Sequence, residues 1–259
     1  MRPPHPFRIS PKILHMISVD NYAKVDLEIV QQLKAIVGEQ FVFVDEESLN
    51  HYAHDETENL HFPPEVVVKP RTTEEISQIM KLCNDALIPV TPRGAGTGLA
   101  GAALADKGGV LLSTERLNSI LKIDERNHQV ITEPGVITEV LMEEVKKVGL
   151  FYPPDPSSRG SCFIGGNISA NSGGPKAVKY GVVRDYVLNL EVVLPNGEII
   201  WTRRNIVDGS SNCSTSCNWH TCVCKTIRTR TCKVYTHTSY SSSTNICTRK
   251  YSCWSRLCN

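Results

Sequence analysis

The chain predicts an α+β domain with irregular glycine-rich loops at its strand ends. Three observations predict it. Short β-branched runs alternate with amphipathic helical stretches from Pro64 to Val148, glycine clusters follow strand-like segments, and Asn196-Gly197 sits between two alternating runs. The 259 residues, 41% hydrophobic with mean hydropathy −0.19, leave room for one large domain or two small ones with a self-sufficient core. No apolar run approaches the ~18 residues that would span a bilayer, so no transmembrane segment is expected. A net charge of +1 gives no whole-chain reason to expect nucleic acid.

That charge averages two unlike pieces. From Arg203 to Asn259 nine basic residues and one acid give +8, whereas residues 1–202, with 19 basic and 26 acidic residues, carry −7. Eight of the ten cysteines lie in the same last 57 residues, and no Gly, Pro, Ala, Glu, Gln, Phe or Met follows Gly209. The two regimes need separate readings.

Residues 1–18 hold four prolines and several basic residues but no apolar stretch, so they read as a leader and not a secretory signal. From Asp26, Leu27, Val30, Leu33, Ile36 and Val37 recur at helical spacing, with Gly38 at the C-cap. Glu46 to Ala53 reads as a second short helix. Glu65 to Lys69 is a buried strand. Thr72 and Glu75 then form a capping box, and Ile76, Ile79, Met80 and Cys83 make one helical face. Ile88 to Thr91, Gly109 to Ser113 and His128 to Glu133 read as strands, and Ile137 to Val148 as an amphipathic helix ended by Gly149. After a long Gly/Ser/Asn-rich loop, Tyr186 to Leu194 and Glu198 to Thr202 form a hairpin.

Gly96-x-Gly98-x-x-Gly101 satisfies the dinucleotide fingerprint literally, but its setting is not Rossmann. Only about seven residues separate Gly101 from the strand at Gly109, too few for a crossover helix. What remains is a run, Arg93 to Gly98, whose three glycines let several N–H groups converge on an anion such as a pyrophosphate; the alternative is a tight solvent turn. Asp155 to Gly174 offers hydroxyls, amides and close-approach glycines that suit a flat heteroaromatic ring; the alternative is a polar linker, which Phe163 and Ile164 would interrupt. His54, Asp55, His61 and Arg184 read as solvated or satisfied structural residues.

In order along the chain stand Pro92-Arg93-Gly94-Ala95-Gly96-Thr97-Gly98, Glu133-Pro134-Gly135-Val136, Asp155-Pro156-Ser157-Ser158, Ile164-Gly165-Gly166-Asn167 with Asn171-Ser172-Gly173-Gly174, and Lys179-Tyr180-Gly181 before Leu190 to Leu194. Taken together, from about Val19 to Trp201, these resemble the FAD-binding domain of the vanillyl-alcohol oxidase/p-cresol methylhydroxylase flavoprotein superfamily. The nearest likeness is to the D-2-hydroxy-acid dehydrogenase branch, which holds glycolate oxidase FAD subunits and D-lactate dehydrogenases. The resemblance implies a two-subdomain FAD-binding fold of the p-cresol methylhydroxylase type over residues 19–202, with subdomains at about 60–115 and 116–202. It implies that Arg93, Gly94, Ala95, Gly96, Thr97 and Gly98 bind the FAD pyrophosphate and that Pro134 and Gly135 flank the cofactor. Pro156, Ser157, Gly160, Ser161, Gly165, Asn167 and Ile168 would line the ribityl chain and ring, with Val187 near the adenine. Covalent members carry a histidine in the pyrophosphate loop; this loop has none, so the FAD is expected to be non-covalent and no metal is expected in this part of the chain.

The activity implied is hydride transfer from a D-2-hydroxy acid, of the D-lactate or glycolate class, to flavin N5, with the electron acceptor left open. The family's catalytic residues come from a substrate-binding half that has no match in this chain, so a truncated product is expected. Two alternatives stay open: a fragment that holds FAD without turnover, and the same fold with another substrate, as in an ether-lipid synthase or an aromatic-alcohol oxidase. The location implied is cytoplasmic, including the periphery of a membrane, or mitochondrial in a eukaryote. Residues 203–259 read either as a zinc or disulfide module, against which the cysteine gaps speak, or as out-of-frame translation without regular structure.

Overall fold

The computed structural model describes residues 22–203, 223–230 and 232–233. The leader expected over 1–18 and most of the 203–259 tail fall outside the described residues.

Helix α1 (Leu27–Val37) starts where the Asp26 carboxylate accepts the Ile29 N–H at 2.9 Å and stops at Gly38, whose φ of 91° no other residue adopts readily. Its Ile29, Leu33 and Val37 are buried. Strand β1 (Val42–Phe43) pairs antiparallel with β2 (Val66–Val68), and helix α2 (Glu46–His51) lies between them in sequence. Helix α3 (Thr73–Asp85) is capped as its sequence predicts: the Thr72 hydroxyl accepts the Glu75 N–H at 3.1 Å. Glu75, however, accepts from Arg71 N at 2.7 Å, one residue further out than a capping box requires.

Strand β3 spans Val90–Arg93, two residues later than the apolar run suggests. Ile88 instead closes the end of α3, its N–H bonding to the Cys83 carbonyl after Leu87 turns through φ 55°. Both β2 and β3 run parallel to β4 (Val110–Ser113), giving a sheet ordered β1-β2-β4-β3. Every residue of the central β4 is buried, as a parallel strand covered on both faces must be. Helices α1 and α3 cover one face over Val66, Val68, Val110 and Leu112, and Tyr52 packs on Val67 and Leu111 on the other. Each fully buried Ile or Leu there stabilises the fold by roughly 1.5–3 kcal/mol.

The second sheet is antiparallel throughout, ordered β5-β6-β10-β8-β9, with β10 at residues 223–230. It contains β5 (Ile120–Asp124), β6 (Gln129–Thr132), β8 (Val187–Val193) and β9 (Ile199–Arg203). Helix α4 (Thr138–Lys147) buries Leu141 and Val145 against Val130, Leu190 and Val192. The segment expected to be one long loop contains two short helices, α5 (Ile164–Ser169) and α6 (Ala177–Tyr180), of six and four residues. Helices that short leave no period to detect. The predicted hairpin forms, but around Pro195-Asn196-Gly197, with the Gly197 N–H bonded to Leu194 O and Gly197 at φ 80°.

Within the tail, residues 223–230 form β10, antiparallel to both β6 and β8, and residues 232–233 form β11 against β7 (Leu150–Phe151). Strand β10 joins the β5–β6 and β8–β9 hairpins through backbone hydrogen bonds, which need no alternation of side chains. Regular structure therefore reaches a stretch where the sequence predicted none.

Helix α3 ties the two sheets together. The buried Ser77 hydroxyl donates to the Gly197 carbonyl, Thr73 Oγ1 donates to a Glu191 carboxylate oxygen at 3.2 Å, and Val193 belongs to the first core. A Cβ on Gly197 would lie 2.4 Å from Lys81 Cγ and 2.6 Å from Ser77 O. Gly197→Ala should therefore lower unfolding free energy by about 1–3 kcal/mol, read from urea melts, because left-handed backbone and contact strain add.

Candidate functional site

The connection from β3 to β4 is where the fold departs from a nucleotide-binding crossover. Parallel neighbours need a crossover, and here residues 94–109 supply it as loop and turns without a helix. The glycine run thus sits at the C-terminal end of β3. None of the backbone N–H groups from Ala95 to Ala100 donates to an acceptor among the described residues. A Cβ on Gly98 would meet nothing within 4 Å. The loop thus holds donors without an acceptor among the described residues.

Two neighbours shape it. A Cβ on Gly94 would lie 3.8 Å from the Phe163 ring and 3.9 Å from Gly166, so the run from Arg93 and the segment after Phe151 meet there. Gly166 opens on free space, with nothing within 4 Å of its own Cβ position. Beneath, Thr114 N donates to Arg93 O at 3.0 Å, Gly135 N to Leu117 O at 2.7 Å, and Gly165 N to Pro134 O at 2.8 Å. Any side chain on Gly135 would strike Thr114 O at 2.2 Å, and on Gly165 would strike Pro134 Cβ at 2.6 Å. Glycine is needed at both because backbones touch. Glu133, buried, holds the same turn by accepting Ser119 N at 3.0 Å.

Among the residues named from sequence, Arg93, Gly94, Pro134, Gly135 and Gly165 are joined in this junction. Ser157, Gly160 and Ser161 stand exposed on the neighbouring turn, which α4 holds through Glu139 N to Arg159 O at 3.0 Å. Asn167 is buried and donates to Thr138 Oγ1, which in turn donates to Cys162 O at 3.1 Å. Its amide side chain is committed to the base of α4. Ile168 and Val187 pack with the second core.

Arg93 is buried, and its guanidinium lies against the loop: a Cβ on Gly96, φ 73°, would fall 2.2 Å from Arg93 Nη2. It stands over the Tyr52 ring at 5.5 Å. Burial pushes its pKa down, opposed by the electrostatic influence of Tyr52, Asp55 and Glu115. Tyr52 Oη donates to Glu115 at 2.7 Å, and Lys69 bonds the other Glu115 oxygen at 2.8 Å. Burial tends to raise the Glu115 pKa, but hydrogen bonds from Lys69 and Tyr52 outweigh it and hold the carboxyl below its ordinary value. These residues lie up to 63 positions apart, so no local pattern signals them. Asp55, read from sequence as solvated or satisfied, is buried and half satisfied: its Oδ1 accepts the Thr57 N–H at 2.9 Å, while its Oδ2 has no hydrogen-bond partner among the described residues, nor has Arg93 Nη1.

Fit to FAD can be tested on these atoms. A diphosphate needs converging donors and a positive charge, and the loop has unused N–H groups, open space beside Gly98 and a buried guanidinium with one unpartnered nitrogen. The donor set fits. A family model described as FAD binding domain matches residues 64–203, more than half of the chain. The chain belongs to this FAD-binding family. It is 49% identical over 151 residues to the glycolate oxidase subunit GlcD of Bacillus subtilis, covering 58% of this chain and 32% of that protein. It is 43% identical over 180 residues to a D-lactate dehydrogenase of Anaerostipes hadrus, covering 69% and 38%. The chain thus spans about a third to two fifths of the length of these relatives. Among solved structures, an alkyldihydroxyacetonephosphate synthase matches with TM-score 0.70 at 20% identity, over 83% of this chain and 42% of that one. p-Cresol methylhydroxylase matches with TM-score 0.58 at 22% identity, over 79% and 42%. At these identities the likeness establishes the fold, an α+β domain of the p-cresol methylhydroxylase type.

One acid closes the neighbouring turn. Asp155, 8% exposed at its side chain, bonds Lys176 at 2.9 Å and Arg159 at 2.9 Å, and Arg159 reaches Glu139 at 3.3 Å. Hydrogen bonds from Lys176 and then Arg159 hold its carboxyl below its ordinary value of 3.8. A carboxylate favoured in the folded state adds stability above its unfolded pKa and loses it as pH falls through the folded one. The stability gap between the native protein and Asp155→Asn should be constant at pH 5–8 and shrink below about pH 4, measured by urea melts across pH.

Proposed function

We propose that this chain is the FAD-holding part of an oxidoreductase acting on a D-2-hydroxy acid of the D-lactate or glycolate class. The observation that carries the reading is the junction of the Arg93–Gly98 loop with Gly166, Gly135 and Gly165, where amide donors with no acceptor among the described residues lie beside open space at Gly98 and Gly166. Ala95 to Gly98 supply N–H groups for the diphosphate, and Arg93 supplies positive charge from a buried position. Pro134 and Gly135 fix the floor of the junction. Ser157, Gly160 and Ser161 present hydroxyls and bare backbone on the turn that Asp155 closes, beside which the ring would lie. Val187 remains the proposed neighbour of the adenine. When bound, the flavin supplies an acceptor for the hydride leaving the α-carbon of the hydroxy acid. The run from Pro92 to Gly101 contains no His, Cys or Tyr, so the cofactor is held without a covalent link from this loop.

The substrate class rests on the names of the relatives, a glycolate oxidase subunit and a D-lactate dehydrogenase. The second reading, FAD binding without turnover, draws on the 32% and 38% of those proteins that the chain spans. Absorbance separates the two: the purified chain loaded with FAD should be yellow, and bleaching by D-lactate or glycolate in the absence of an electron acceptor indicates turnover.

Gly96→Ala tests the loop itself. The added methyl must displace the Arg93 guanidinium and adopt left-handed backbone, so FAD affinity should fall at least about tenfold by flavin-fluorescence titration. Unchanged affinity would remove the loop from the site.

A further inference from the structure

We infer that Tyr52 is a positioning residue for the glycine loop: its ring carries the Arg93 guanidinium and keeps it against Gly96, where the loop meets a diphosphate. This deepens the FAD reading above and rests on it. The guanidinium carbon of Arg93 stands 5.5 Å from the centre of the Tyr52 ring, within the range over which the negative face of an aromatic ring attracts a cation. Arg93 is buried, so water screens little of that attraction. A Cβ on Gly96 would strike Arg93 Nη2, so the guanidinium fills the space that the glycine leaves. The backbone of Arg93 is pinned separately, its carbonyl accepting the Thr114 N–H at 3.0 Å. What the ring fixes is where the side chain ends.

The ring is itself held firmly. Tyr52 is buried and packs on Val67 and Leu111. Its Oη donates to one Glu115 oxygen at 2.7 Å, and Lys69 Nζ donates to the other at 2.8 Å. A phenol that donates to a carboxylate gains electron density in its ring, because hydrogen-bonded groups polarise one another, and a richer ring holds a cation better. Lys69 Nζ lies 5.2 Å from the same ring, but its charge is answered by Glu115. Arg93 Nη1 has no hydrogen-bond partner among the described residues, which leaves its charge for the loop and a ligand. Glu115 thus acts on the loop through Tyr52, and the ring sets where a positive charge waits beside the N–H groups of Ala95 to Gly98.

The test uses the full chain, with FAD affinity read by flavin fluorescence and ADP, which carries the diphosphate without the flavin, by displacement of FAD. Tyr52→Phe is compared with the same position filled by 4-fluoro-, 3,5-difluoro- and 3,4,5-trifluorophenylalanine, which drain negative charge from the ring face while nearly keeping its shape. Affinity for both ligands should fall stepwise along the series, by about tenfold from first to last, and in an Arg93→Met background should vary by less than about twofold. Thermal melts report folding of each variant, and 3-fluorotyrosine at position 52, which keeps the hydroxyl, is compared with the native ring if Tyr52→Phe does not fold. Level affinity across the fluorinated rings overturns the proposal, because a ring that only fills space is blind to fluorine. So does a slope that persists without Arg93, since the ring would then act by another route. A native chain that binds neither FAD nor ADP defeats the FAD reading itself, and this inference falls with it.

Discussion

The structure depends on close approach of backbones at two glycines, beside which a third packs at ordinary contact. Gly135 lies where any Cβ would enter Thr114 O and Gly165 where it would enter Pro134, while Gly94 sits next to Phe163 and Gly166. These contacts bring the ends of β3 and β4, the turn after β6 and the start of α5 to one place. Side chains could not do this at the same separation, because even one methylene keeps main chains further apart. The hydrogen bonds Thr114 N to Arg93 O and Gly165 N to Pro134 O follow from that proximity. Both sheets then share a common border, and the glycine loop after β3 occupies it.

Charge is distributed around that border in a manner that suits a ligand bearing two negative phosphates. Lys69 and Glu115 neutralise one another, with Tyr52 between Glu115 and Arg93. An exposed arginine would have been a stronger lure for any passing anion but a poorer discriminator, since solvent and salt screen it. A buried one acts at higher effective field on a partner seated against the loop. The N–H groups of Ala95 to Gly98 add dipoles without adding net charge. The Asp155 network is different in kind. It lies on the outer turn with Lys176 and Arg159 half exposed, and its work is to hold the chain from Pro156 to Ser161 against α4.

Much of the fold was legible because its long elements obey simple periods. The extent of α1 with its stop at Gly38, the buried face of α3, the cap at Thr72, the strand β4 and the glycine stop of α4 appear where the sequence places them, whereas on α1 Leu27 is exposed and Ile29 takes a buried place. The misses share a cause. Strand β5 lies at a sheet edge with Leu121 half exposed and shows little alternation, α5 carries two glycines in six residues, and β10 is set by backbone pairing on both sides. Each is imposed by neighbours and not by its own residues. The shift of β3 to Val90–Arg93 has the same origin, since Ile88 is claimed by the end of α3.

The candidate site divides along the same line. Glycines are visible in sequence because their type is itself the signal, and Arg93, Gly94, Pro134, Gly135 and Gly165 do converge. Asp55, Tyr52, Lys69 and Glu115 are ordinary residue types scattered from 52 to 115, and nothing in their spacing marks them. Their relation exists only once β2, β3 and β4 lie side by side, which carries Lys69 at the end of β2 and Glu115 after β4 to the same end of the sheet as Arg93. A parallel arrangement aligns strand ends of like polarity, so residues just beyond those ends meet. The chemistry of the loop is therefore written locally in its glycines, and its electrostatic support is written in the topology.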